Sequence, residues 1–407
     1  MPIISLNLAS RLIHTVVGLL IALCAGLEFF PFNSMGLDHL DASWGSDLSS
    51  VYSPLLMTLT LVLIYLSNAR VTMQNLRSKA KFLWISALFA ACVMISAVAN
   101  QAPDERVPVV ACNFLIGSIF LVLLHRANLF LATDFRPALG VLTVWIVIPL
   151  LVVALGVETQ FFLNCNPLNF HGFTNGRLLF GFWSGCLVVM LAAYYDDDNK
   201  PFVIRVAFFV SYCALVATQT RSAIILATLA IFWLQWETRK NVLHKTLVLV
   251  FSYTVGLAMN KHFEIICNAG VTEYSGRLLE LKDPTRFKIY FEFIPSNYHE
   301  WLWGEGKMSL ISIASIGDGI QAHNLFLQTL ANYGALSLSF FVIWCWLLLH
   351  LFKTIAARLL CGYFLGFSFM QPLFGGSLNF FAPRILLILM LAVYFDLALF
   401  NRSRRPL

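Results

Sequence analysis

Apolar runs, each closed by a short polar segment, recur along the whole chain: 12–30, 51–67, 82–100, 108–124, 137–155, 174–195, 202–218, 222–236, 246–260, 335–352, 359–374 and 384–400. A helix needs roughly 17 to 25 residues to cross a hydrocarbon core about 30 Å thick. Most of the runs approach that length and several are shorter, so their ends are read to within a few residues. The pattern predicts an all-α fold: a polytopic membrane helical bundle of about twelve transmembrane helices, one integral membrane domain over residues 1–407. One polar interval, 261–322, is far longer than the rest and is expected to contain short helices.

Composition agrees with the pattern. Of 407 residues, 59% are hydrophobic and 12% charged, with a mean hydropathy of +0.77 and 36 phenylalanines. Soluble chains carry about a quarter charged residues, so this chain has too little polar surface to cover a globule in water. Most of the nine cysteines lie inside the apolar runs, where they act as small apolar residues, and their spacing fits no metal site. Cys165 and Cys267 fall in loops. A disulfide between them is chemically allowed outside the cytoplasm, but the sequence does not report their separation, and unpaired thiols are the expectation. The first run is not followed by a small-x-small cleavage pattern and is expected to stay attached as a signal anchor.

With the N-terminus in the cytoplasm and twelve spans alternating, the cytoplasmic segments hold seventeen basic residues, while the short loops on the other face hold only Arg106, Arg177, Arg221 and Arg384. This asymmetry fixes the expected orientation. The remaining six (Lys261, Arg277, Lys282, Arg286, Lys288, Lys307) gather in the loop 261–322 on the non-cytoplasmic side. Long loops escape the positive-inside rule. A solvated face or a contact with anionic headgroups is the ordinary explanation of such a cluster.

Two arginines fit that explanation poorly. In DPTRFKIYFEFIPSNYHEWLWGEG, Asp283 suits an N-cap and Pro284 a first helical position, and Phe287, Tyr290, Phe291 and Ile294 recur at helical spacing. A surface helix with an aromatic inner face is predicted, with Arg286 in its first turn, where the dipole favours anions and not cations. Arg221, in VATQTRSAIILATLAIFWL, stands between two apolar runs with almost no loop, among Thr218, Gln219, Thr220 and Ser222. A snorkelling interfacial arginine is the common case. So many hydrogen-bonding neighbours instead fit a polar pocket facing the bundle interior.

Together these segments resemble the O-antigen ligases and the wider superfamily of lipid-linked glycan ligases and polymerases. TQTRSA resembles the family's short arginine turn. TRFKIYFEFI, followed by GEG, resembles its arginine-bearing loop helix and G-x-G turn. AHNLFLQTLANYG resembles its His-Asn-x-x-leucine helix ending in glycine. The resemblance covers roughly residues 200–350 at motif level; Tyr290 stands where the family often has tryptophan, and either Arg277 or Arg286 fills the second arginine position, spacing to Gly304 favouring Arg286. The family implies a glycosyltransferase; since no metal motif or acidic cluster is expected outside the cytoplasm, no cofactor or metal is expected. It implies a glycan donor on undecaprenyl pyrophosphate and a sugar hydroxyl of lipid A–core as acceptor, in lipopolysaccharide biosynthesis. It also implies a multi-pass protein of the bacterial inner membrane with its active site facing the periplasm and 261–322 as a periplasmic loop, expected as a monomer in contact with membrane lipids and with no nucleic acid.

The residues suit that chemistry. Arginine forks bind phosphate oxygens in pairs and neutralise a diphosphate leaving group, so Arg221 and Arg286 are the expected clamp, with Arg277 and Lys288 as weaker substrate-binding candidates. His323 begins a helix at the outer boundary, where the helix dipole and nearby arginines disfavour its protonation. It is therefore the expected general base, against the ordinary alternative of an interfacial histidine bonded to a carbonyl. Asn324 either binds sugar or orients the ring, or simply caps the helix. Asp196–Asp198 read as a solvated cytoplasmic turn, and Asp38, Asp41 and Asp47 lack a tight D-x-D pairing. A polymerase of the same superfamily, or a transporter or flippase of lipid-linked glycans, are the alternatives. Charges clustered on one face favour an enzyme.

Overall fold

The computed structural model describes residues 58, 62, 69–101, 106–126, 136–157, 161–165, 168–172, 177–195, 201–239, 242–267, 297–306, 311–313, 317–320, 324–370 and 383–403. These form, in order, α1 (Ala69–Ser78), α2 (Ala80–Ala99), α3 (Arg106–Arg126), α4 (Arg136–Ala154), β1 (Leu163–Cys165), β2 (Leu168–Phe170), α5 (Arg177–Tyr194), α6 (Pro201–Ala217), α7 (Arg221–Thr238), α8 (Val242–Ile266), α9 (Tyr298–Trp303), β3 (Ile311–Ile313), β4 (Gly317–Ile320), α10 (Leu325–Leu351), α11 (Ile355–Met370) and α12 (Pro383–Ser403). Ten of these helices coincide with the last ten apolar runs of the sequence. The runs at 12–30 and 51–67 lie outside the described residues, positions 58 and 62 apart. Four helices, Ala80–Ala99, Val107–His125, Val242–Ile266 and Leu325–Leu351, are long and apolar enough to cross a membrane, and shorter apolar helices accompany them.

The helical form follows from the solvent these runs suit. In hydrocarbon every backbone N–H and C=O must be bonded internally, and a helix does this within one segment. Outward faces stay apolar: Trp236 is 77% exposed, Leu243 74% and Phe251 62%, the surface a lipid-facing helix presents. Inside, α2, α3 and α10 meet through Phe89, Phe114, Phe341 and Trp344, whose rings pack at centroid distances of 4.4 to 6.4 Å. Helix α5 packs against α4, α6, α7 and α11, and nearly all its side chains are buried. It is the central helix of this half, apolar all round as such a position requires. Its Gly185 admits Tyr363 of α11, whose hydroxyl donates to the Phe182 carbonyl at 3.1 Å.

Contacts sort the helix termini into two ends. At one, His125 of α3 bonds Asp396 of α12 at 2.9 Å, and the same carboxylate accepts from the backbone N–H groups of Lys353 and Thr354 and from the Thr354 hydroxyl. Tyr195, after α5, bonds His244 near the start of α8 at 2.7 Å, with Arg205 and Lys245 over its ring. This end collects basic residues. At the other, His262 of α8 bonds the Ala154 carbonyl that ends α4, and Phe170 packs against both Phe180 of α5 and Phe263 of α8. A disulfide joins Cys165 of β1 to Cys267 after α8.

Four sequence expectations change. Cys165 and Cys267 do pair: the β1–β2 hairpin folds back so that its last β1 residue meets the end of α8. The long loop starts later than residue 261, because α8 continues through Lys261 to Ile266. Two hairpins, β1–β2 and β3–β4, add short antiparallel pairs to a fold expected to be all helix. Helix α10 begins at Leu325, kinks at Gly334 and continues, so the run read from 335 is its second half. The surface helix expected around Phe287–Ile294 lies outside the described residues.

Candidate functional site

Residues 218–221 turn the chain from α6 into α7. Gln219 takes the left-handed conformation (φ 55°), and its N–H bonds the Val216 carbonyl, which closes α6. The Thr218 hydroxyl donates to the Leu215 carbonyl at 2.7 Å and accepts from the Thr220 N–H at 3.3 Å. The turn fits because Gly181 of α5 faces it: an added Cβ there would stand 2.6 Å from Thr220 Oγ1. Arg221 is then the first residue of α7, half-buried, with buried Thr220 and Ser222 beside it. Thr220 makes no side-chain cap bond to the first N–H groups of α7. Among the described residues no ion pair involves Arg221. A cation at a helix N-terminus opposes the dipole at a cost of about 0.3–1 kcal/mol, and an anion placed between them reverses that sign.

The second motif forms a clasp with the third. The kink at Gly334 interrupts the helical ladder of α10, and the carbonyls of Ala331 and Asn332 accept instead from the N–H groups of Glu305 and Gly306, both at 2.9 Å. The G-x-G turn is thus docked by backbone into the helix break. Gly304 and Gly334 carry φ/ψ of 67°/−160° and 79°/175°, a region open essentially to glycine alone. A Cβ on Gly304 would overlap the backbone of Asn332 and Tyr333, and one on Gly334 the Leu302 carbonyl. Helix α2 completes the joint: Ser96 Oγ donates to the Trp303 carbonyl and lies 3.4 Å from that of Asn332.

Asn324 starts α10, buried at 5% exposure, and its Oδ1 accepts from the N–H groups of Phe326 and Leu327 at 2.9 and 3.2 Å. Capping, one of the three roles open to it in the sequence, is the one its geometry displays. One face of this first half carries a buried amide row of Asn324, Gln328 and Asn332, with Gln328 Nε2 donating to Asn332 Oδ1 at 2.9 Å.

Helix α11 relates the two regions. Its C-terminal part packs on α7 near Leu226, through Gly366, and on the start of α10, where Phe369 meets Phe326 at 5.5 Å. The Arg221 turn, the G-x-G clasp and the Asn324 cap therefore occupy one end of the bundle, the end that carries the disulfide. His323, Arg286, Arg277 and Lys288 lie outside the described residues, as do Asp38, Asp41, Asp47 and Asp196–Asp198. Among the described residues no three His, Cys, Asp or Glu side chains converge.

Sequence reading missed Glu264. It stands on α8 near the disulfide, 7% exposed, where the sequence suggested an exposed loop. Its signal was the i, i+4 spacing to Asn260, which shares its buried face. No family model, no curated protein and no solved structure matches this chain.

Proposed function

We propose that this chain is an O-antigen ligase: a multi-pass glycosyltransferase of the bacterial inner membrane, with about twelve spans, that moves a glycan from undecaprenyl pyrophosphate to a sugar hydroxyl of lipid A–core on the periplasmic side. The observation that carries the proposal is the gathering of three separate motifs at one end of the bundle, with GEG docked by its backbone into ANYG. Nothing in the folding of an ordinary helical bundle requires those segments to meet. The disulfide supports the orientation, since such bonds persist in oxidising compartments, and the basic residues at the opposite end support it again.

In the proposed reaction Arg221 and Arg286 hold the diphosphate by paired N–H donors and offset the charge that grows as the anomeric C–O bond breaks. Neutral His323 takes the proton of the acceptor hydroxyl, whose oxygen attacks the anomeric carbon. Undecaprenyl pyrophosphate leaves, and the proton rests on the imidazole. Arg277 and Lys288 add positive charge in the same loop. The acceptor distinguishes ligase from polymerase. Deleting the gene is expected to leave lipopolysaccharide without long glycan while full-length lipid-linked glycan accumulates; accumulation of single-repeat units instead would assign the chain to a polymerase.

A further inference from the structure

The arginines and the histidine account for the diphosphate and the proton, but neither recognises the sugar between them. Two hydrogen-bond acceptors stand at that end of the bundle with no donor to serve. The carboxylate of Glu264 belongs to a residue only 7% exposed, and no hydrogen bond or ion pair engages it among the described residues. The Oε1 of Gln219, two residues before Arg221, is fully enclosed and has no partner there either.

The helix register places them at the same end of the α6–α8 contact. Helices α6 and α8 run parallel: Cys213 Sγ bonds the Ser252 carbonyl, Gly256 abuts Val216, and Asn260 Nδ2 donates to the Val216 carbonyl at 3.2 Å. Glu264 follows Asn260 by four residues, on the same face and about 6 Å further along the axis. Gln219 follows Val216 by three residues in the same direction. Glu264 therefore stands alongside the Thr218–Arg221 turn. Its height is fixed by the disulfide three residues later and by Phe263 packed on Phe170.

The Gln219 carbonyl, enclosed without a partner, is costly, and an occupant that brings O–H donors removes the cost; the unpartnered Glu264 carboxylate is not among the fully enclosed atoms and can meet the same occupant. We propose that Glu264 and the Gln219 side-chain carbonyl form an acceptor pair that binds hydroxyl groups of the sugar joined to the diphosphate held by Arg221. Hydroxyl donors fit better than a calcium or magnesium ion, which takes six or more oxygen ligands, whereas no group of three His, Cys, Asp or Glu side chains converges here among the described residues. The inference rests on the glycan-transfer reading and deepens it.

The test is binding of two ligands to the purified full chain in detergent: undecaprenyl pyrophosphate carrying the glycan, and undecaprenyl pyrophosphate alone. Glu264→Ala is expected to weaken the glycan-bearing lipid about ten- to hundredfold, the worth of a hydrogen bond to a charged group, and to leave the bare lipid unchanged. Glu264→Gln, which keeps the size, and Gln219→Asn, which tolerates the left-handed backbone, are expected to shift the same ligand in the same direction. Unfolding midpoints and the intact disulfide identify folded variants. Equal loss of both ligands, or no loss of either, overturns the acceptor pair. EDTA reproducing the Glu264→Ala effect on the unaltered protein overturns it in favour of a cation. Failure of the parent reading is separate: Arg221→Ala would then leave bare undecaprenyl pyrophosphate bound as before.

Discussion

Gly334 has nothing to do with flexibility: its backbone angles and the Leu302 carbonyl both exclude a Cβ. Gly334→Ala is expected to destabilise the protein by about 1–3 kcal/mol, read as a lowered unfolding midpoint in detergent. Gly140→Ala, where an added Cβ meets nothing, is expected to be neutral or to stabilise by up to about 1 kcal/mol. Arg221 invites a chemical comparison. If it holds a diphosphate by a planar fork, a lysine point charge cannot replace it. Transfer in membranes with matched expression is expected to fall at least about tenfold in Arg221→Lys and Arg286→Lys, while Arg106→Lys and Arg384→Lys stay near normal. Near-normal transfer in the first pair would remove the clamp.

Among elements, the G-x-G turn with α10 and the disulfide with α8 show what the sequence conceals. The helices were legible because hydrocarbon imposes one length and one apolar composition on a crossing segment. The clasp was not, since it is made of backbone N–H and C=O groups from segments that no periodicity relates. GEG and ANYG could be named as a turn and a helix end, but not as partners. The disulfide closes 102 residues, a separation invisible to spacing rules, and Glu264 was hidden by an underestimate of how far α8 runs. For Asn324 the cap was among the roles open in the sequence, but spacing could not choose it over the others, because the partner of a buried amide is set by packing. Because one covalent bond fixes the end of α8, Cys165→Ser, Cys267→Ser and the double variant are expected to lower the unfolding midpoint equally. An additive double variant would show that the two thiols act independently.

At the scale of the whole molecule, one end carries the disulfide, Arg221 and the clasp, and the other carries Arg205, Lys245, Lys353 and the buried His125–Asp396 pair. In intact cells, single cysteines on a cysteine-free background are expected to react with an impermeant maleimide at position 286 and not at 240; the reverse would invert the protein. The proposed glycan transfer by arginines and one histidine, without metal, is tested by giving the purified protein lipid-linked glycan and lipid A–core in EDTA. Transfer is expected to be undiminished by the chelator, with His323→Gln folded and able to bind donor but slowed by about 10²–10⁴-fold, the range of general-base catalysis. Transfer that requires added magnesium or manganese, or robust turnover by His323→Gln, would contradict it.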